Sequence, residues 1–309
     1  MSRKGWLLFV SLCVVWGLPY LFIRIAVREL SPPSLVFLRT GCAALVLLPF
    51  AVRRGRARDL LPRWRWLLSY TLIELCVPWF LLAHAERTIS SSLAGLLVAT
   101  VPLIGAVLYR AAGVADHFDA RRLVGLGIGF AGVAALVGLD VGASDPLAMA
   151  EVGVVALCYA TGPLLVARGL SDVPAIGVIT ASLVGTAVLF ATPGIALLPA
   201  SLSATTIAAV AVLAVVPTAL AFLLFFALIA EVGPSRTTVI TYVNPLVAVL
   251  LGVVFLSEPF TLGIAVGMPL ILLGSVLGTA RTKRDAGLPP AHEATAAGAP
   301  GKPGGPPSP

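Results

Sequence analysis

The stretch Thr241–Pro259, TYVNPLVAVLLGVVFLSEP, decides the fold. From Leu246 to Leu256 it is almost wholly apolar, and with its first turns it is long enough to cross the ~30 Å hydrocarbon core of a bilayer, which takes about 20 residues of helix. Yet Tyr242, Asn244 and Pro245 interrupt its opening turns, and Glu258-Pro259 closes it. Polar groups there are costly toward lipid. The stretch therefore predicts a membrane helix that turns one face toward a protein interior.

The whole chain has this character. Of its 309 residues, 59% are hydrophobic and 11% charged, against roughly 25% charged in an average soluble domain. The net charge of +7 does not mark a nucleic-acid partner, because the Lys and Arg sit in short loops between apolar runs and not on one solvated face.

A window of about 20 residues gives ten predicted spans: Trp6–Val27, Pro33–Val52, Trp66–His84, Ser90–Tyr109, Leu123–Leu139, Leu147–Ala167, Pro174–Leu198, Thr205–Ile229, Thr237–Leu256 and Leu262–Ala280. With the N-terminus placed inside, every Lys and Arg except Arg24, Arg28, Arg39 and Arg87 falls in a segment on the cytoplasmic side. That is the asymmetry expected of short loops, and it puts both termini in the cytoplasm. The apolar run after MSRKGWLLFV continues past Tyr20 with no small-residue cleavage site, so it predicts an uncleaved first helix and not a signal peptide. Cys13, Cys42, Cys76 and Cys158 are isolated within spans, and neither disulfide nor metal site is expected. Residues 282–309, rich in Ala, Gly and Pro, are expected to form a disordered cytoplasmic tail.

The opening stretch has an earlier counterpart. Pro102-Leu103 falls on Pro245-Leu246 at an offset of 143, Asp116, Gly125 and Gly132 fall on Glu258, Gly267 and Gly274 at 142, and Pro19 and Arg24 fall on Pro163 and Arg168 at 144. Two five-helix copies are expected, residues 1–140 and 146–281. Five is odd, so the second copy enters the membrane from the opposite side. Inverted repeats of this kind characterise secondary transporters, which bind substrate near the midplane and rock one repeat against the other. Pro102 and Pro245 are expected helix kinks, each freeing a carbonyl about one turn earlier.

VVWGLPYLFIR, ALCYATGPLLVAR and TYVNPLVAVLLGVVFLSEPFTLGIAVGMPLILLGSVL, in that order, resemble the drug/metabolite transporter superfamily of EamA type, over residues 5 to 280. The resemblance implies an all-α membrane fold of ten helices around a central cavity, movement of small metabolites such as amino acids, and no bound cofactor. Two departures keep the chemical type. Trp16 is matched by Tyr159 with a one-residue slip, and Asp116 stands where the family often has Glu.

A carboxylate is the sharpest chemical signal. Glu74, in SYTLIELCVPWF, lies about eight residues into the third span, roughly 12 Å deep. A charge at that depth costs about 2.5–3.5 kcal/mol even on the lenient insertion scale. Arg39 in VFLRTGCAAL is its possible charge partner. Glu74 is expected to hold a substrate ammonium group or exchange a coupling proton, with Trp16, Tyr159, Tyr242 and Asn244 as further cavity residues. Glu151 is expected at the rim. Arg24 and Arg168 are expected to snorkel to headgroups, and Asp116 and Glu258 to cap the helices that follow them. Gly125, Gly129 and Gly132, with Gly263, Gly267 and Gly274, are spaced for close helix packing.

Catalysis by metal or by acid and base needs clustered His, Asp or Glu. Here His84, His117 and His292 are scattered, and no nucleophile-elbow or phosphate-loop pattern occurs. A non-enzymatic carrier that exports amino acids, amines or drug-like compounds is expected, with a channel or other non-carrier membrane protein, or a carrier of sugar-linked or lipid-like substrates, as the alternative. The Arg- and Ala-rich composition with three Lys points to a bacterial inner membrane.

Overall fold

The computed structural model describes residues 2–54, 57–113, 120–139, 145–232 and 240–279. Asp116, His117 and the predicted tail 282–309 lie outside these residues.

The described chain is built of helices. Eight are long and apolar enough to cross a membrane: α1 Arg3–Ala26, α2 Pro32–Arg53, α3 Leu61–Ala85, α4 Ser91–Ala111, α5 Ala120–Leu139, α6 Pro146–Gly169, α7 Ala175–Ala196 and α8 Ala204–Val232. Two further apolar helices are shorter, α9 Ile240–Leu256 and α10 Leu262–Gly278. Pro193 lies inside α7 without ending it. Side-chain caps set several starts: the oxygens of Ser2, Ser90, Asp145 and Ser203 accept from the amides of Gly5, Leu93, Leu147 and Thr206 at 2.9, 3.1, 2.9 and 3.2 Å. Each satisfies one of the donors that a helix N-terminus leaves without a partner.

The surface is more apolar than a soluble protein's, and the largely apolar core also takes in polar side chains. Leu45, Val52, Val188 and Phe255 are exposed, while Ser34, Thr40, Ser91, Ser92, Ser182, Thr186, Thr218 and Ser275 are buried. Lipid solvates the apolar exterior, so polar side chains serve as bonds between helices inside. Thr71 of α3 donates to Ser182 of α7 at 2.9 Å, and Cys76 and Thr186 meet at 3.3 Å along the same seam.

The helices pair in a regular scheme. α2 lies along α7, α5 along α10, and α4 on α9; α1 packs on α8 and α9, and α6 on α3 and α4. Adding five to each helix number maps α1 on α8 and α9 onto α6 on α3 and α4. The α5–α10 seam is the closest: a β-carbon on Gly132 would stand 2.7 Å from the Ile271 nitrogen, and one on Gly267 2.9 Å from the Gly132 oxygen. The glycine spacing therefore does bring two backbones together.

Contacts between helix ends fall into two groups. Glu29 after α1 accepts from the Ser203 amide at 2.9 Å, and His84 near the end of α3 pairs with Glu151 at the head of α6 at 2.9 Å. Arg63 at the start of α3 pairs with Asp172 after α6, and Lys4 and Ser2 meet Glu231 at the end of α8.

Glu258 departs from expectation. It does not cap α10, whose Ile264 amide bonds Thr261 at 3.2 Å. Its carboxylate instead crosses to α4, accepting from the Ser91 and Ser92 amides at 2.7 and 2.9 Å and the Ser92 hydroxyl at 2.6 Å. The positive end of α4 and its free amides are a better anion site than the next helix along the chain.

Candidate functional site

Two helices change their winding halfway. Thr71–Cys76 of α3 and Val215–Leu220 of α8 are π-helical, at a constant offset of 144 residues. Such segments leave backbone groups and side chains aimed differently from an α-helix and often mark functional sites. The fourth residue of each is polar: Glu74 in α3 and Thr218 in α8.

Pro217 explains Thr218. The prolyl nitrogen cannot donate to the carbonyl of Leu213, and the Thr218 hydroxyl donates to that carbonyl instead, at 2.8 Å. The same hydroxyl oxygen accepts from Arg39 Nε at 3.0 Å. Arg39 also lies over the Trp79 ring, 3.6 Å from its centroid, an arrangement attractive to a desolvated guanidinium. Those contacts explain how Arg39 can be 6% exposed. It is thus tied to α8 and Trp79, and no ion pair joins it to Glu74 among the described residues.

Glu74 sits near the middle of α3 and points toward α6. Its carboxylate lies against Gly162, where a β-carbon would overlap Oε2 and stand 2.8 Å from Cδ. Oε2 is buried without a hydrogen-bond partner. Tyr70, Tyr109, Cys158 and Tyr159 stand within electrostatic range. Tyr159 lies within electrostatic range of both Arg39 and Glu74. The next residue after Gly162 is Pro163, which removes the amide that would bond the Tyr159 carbonyl.

The other expected cavity residues make contacts of their own. Trp16 stands at the turn between the two halves of α1, packed on Phe222 and Phe225 of α8 with centroids 6.4 and 5.0 Å away. Asn244 bridges helices: with its amide nitrogen turned inward, the orientation that satisfies both bonds, it donates to the carbonyls of Cys13 at 3.1 Å and Ile240 at 3.0 Å. The α1 turn frees the Cys13 carbonyl, because the Gly17 amide bonds Val14 instead. Tyr242 directs its hydroxyl to the Ser275 carbonyl of α10 at 3.4 Å. Pro102 follows a real break in α4 at Ala99–Thr100, whereas Pro245 lies within an unbroken α9.

Arg24 corrects another expectation. It does not reach outward to headgroups; Nη1 turns inward and donates to the backbone carbonyl of Glu86. Glu86, the residue after α3, is fully buried, and neither carboxylate oxygen has a hydrogen-bond partner. Sequence reasoning missed it, along with Trp79 and Thr218. Glu86 precedes Arg87 at a helix end and reads as loop, whereas the Pro217-Thr218 pair was a usable signal, since a hydroxyl after a helical proline can repair the ladder.

The comparisons agree with this architecture. The description of the EamA-like transporter family matches residues 3–138 and 151–279. The chain is 32% identical over 259 residues to the uncharacterized inner membrane transporter YedA of Escherichia coli (strain K12), covering 78% of this chain and 79% of that protein. It is 23% identical over 285 residues to the uncharacterized transporter YvbV of Bacillus subtilis (strain 168), covering 90% and 92%. A solved crystal structure shares the fold with a TM-score of 0.64 at 21% identity, over 90% of this chain and 98% of that one. The chain is a multi-pass membrane protein and belongs to the EamA-like transporter family.

Proposed function

We propose that the protein is a secondary carrier that exports a small metabolite, an amino acid, amine or drug-like compound, by alternating access between two inverted five-helix repeats, residues 1–140 and 146–281. Both termini are cytoplasmic, and the membrane is a bacterial inner membrane, like that of the Escherichia coli relative named an inner membrane transporter. Four features support the repeat. These are the match of one family description to two stretches of like length, the helix pairing that maps onto itself when five is added, the two π-helical segments at one offset, and the two groups of helix-end contacts, each joining ends that ten alternating crossings place on one face.

Glu74 carries the reading. A mid-membrane carboxylate with a buried, unpartnered oxygen is expensive to keep unless it binds something. Its partner in the cycle is a substrate ammonium group or a proton, and Tyr159, Trp79 and Arg39 provide the aromatic and cationic wall opposite it. Membrane lipid surrounds the bundle, and the chemistry needs no cofactor.

Purified protein in liposomes tests this with a panel of labelled amino acids and amines. Saturable exchange of at least one member supports the carrier. Flux that rises linearly with concentration indicates a channel instead, and no exchange by folded protein overturns the assignment to amino acids and amines.

A further inference from the structure

The end of the bundle where α3 stops and α4 begins holds a second carboxylate that the transport reading above does not use. Glu86 is 0% exposed, and both of its side-chain oxygens lack a hydrogen-bond partner. Its backbone is fully engaged, the amide donating to Leu82 at 3.0 Å and the carbonyl accepting from Arg24. Next to it, Glu258 clips the end of α9 onto the first turn of α4 through Ser91 and Ser92. Three donors at a helix N-terminus suit an anion there. Glu86 has no such donors, and a fully buried carboxylate beside a second acid cannot hold charge cheaply.

We propose that Glu86 is a proton-binding site, loaded when the α3–α4 end of the bundle is closed and emptied when that end opens to water. On closing, a proton from water joins the carboxylate and gives the neutral acid that the packed site accepts. On opening, the carboxyl returns that proton to water and remains as a hydrated anion. Arg24 of α1 reaches its backbone carbonyl, and Tyr20 of α1, Arg39 of α2 and Glu258 after α9 stand within electrostatic range. Burial first, and Glu258 second, push the Glu86 carboxyl well above the usual carboxylate range, against the opposing pull of Arg24 and Arg39. Ser91 Oγ, itself buried without a partner, is a further polar group at the same closed end.

The link to opening rests on the carrier reading; the proton occupancy does not. Infrared spectroscopy of the full-length protein in lipid vesicles, without substrate, reads the protonated-carboxyl band. At pH 7, Glu86→Gln is expected to remove a component that Glu74→Gln leaves in place. Glu258→Gln, which removes the neighbouring charge, is expected to move the titration of that component to lower pH. A Glu86→Gln spectrum identical to wild type overturns the proposal; if that variant does not fold, an unmoved titration in Glu258→Gln does so. Exchange in liposomes then tests the coupling. The wild-type rate should vary with pH on the α3–α4 side by up to about tenfold per unit, the limit for one proton, and that dependence should vanish in Glu86→Gln. A wild-type pH profile in Glu86→Gln contradicts the coupling, whereas folded wild-type protein with no exchange at all overturns the assignment to amino acids and amines and leaves the infrared result standing.

Discussion

The Glu74 carboxylate occupies the space that a side chain on Gly162 would fill: a β-carbon there would overlap Oε2 and approach Cδ to 2.8 Å. Glycine at this position matters for what it lacks. Glu74 can reach the interior of the bundle only because α6 presents bare backbone at that level.

Gly162→Ala therefore tests position without removing the acid. The added methyl should displace the carboxylate at an overpacking cost of about 1–3 kcal/mol and slow exchange about 10- to 100-fold, as misplacement by an ångström can do. Exchange rates in liposomes measure it; a wild-type rate means that the Glu74 position is not critical.

Asn244 holds α9 to the broken turn of α1. Asn244→Ala leaves the Cys13 carbonyl without its donor, which should cost about 1–3 kcal/mol. A lower thermal midpoint in detergent is expected, and an unchanged midpoint shows that the bridge contributes nothing.

Thr218 serves Arg39 and the Leu213 carbonyl with one hydroxyl. Thr218→Val keeps the shape and removes the polar atom, so it should lose about 1–3 kcal/mol, while Thr218→Ser should stay near wild type. Equal melting of the two variants would contradict the shared-hydroxyl account.

Glu29 gives a pH dependence. The hydroxyl and amide of Ser203 hold its carboxyl below the usual range. A depressed folded value stabilises above the unfolded pKa of about 4.3, and that stabilisation disappears as pH falls through the folded value. Glu29→Gln should therefore melt slightly below wild type at neutral pH and level with it in acid. A difference that persists in acid contradicts the assignment.

How much of this was legible in the sequence depends on the distance over which each feature is decided. The apolar runs fix the helices locally, and Glu74 stands out because a carboxylate interrupts one of them. The π-helical winding around Glu74 and Thr218 has no residue signature of its own. Glu258 was expected to cap the next helix because capping logic runs along the chain, whereas its amides come from α4, brought by packing. Arg24 and Glu86 lie at helix ends, where the default is contact with water or headgroups. The approach of α1 to the end of α3 brings them together.

The most direct test of the account is exchange by Glu74→Gln beside wild type in liposomes, with and without a pH gradient. Saturable wild-type exchange that responds to the gradient, and a folded variant that loses the exchange or its response, is the predicted result. A Glu74→Gln variant with wild-type rate and wild-type pH response would contradict the central claim, that the carboxylate facing Gly162 takes part in transport.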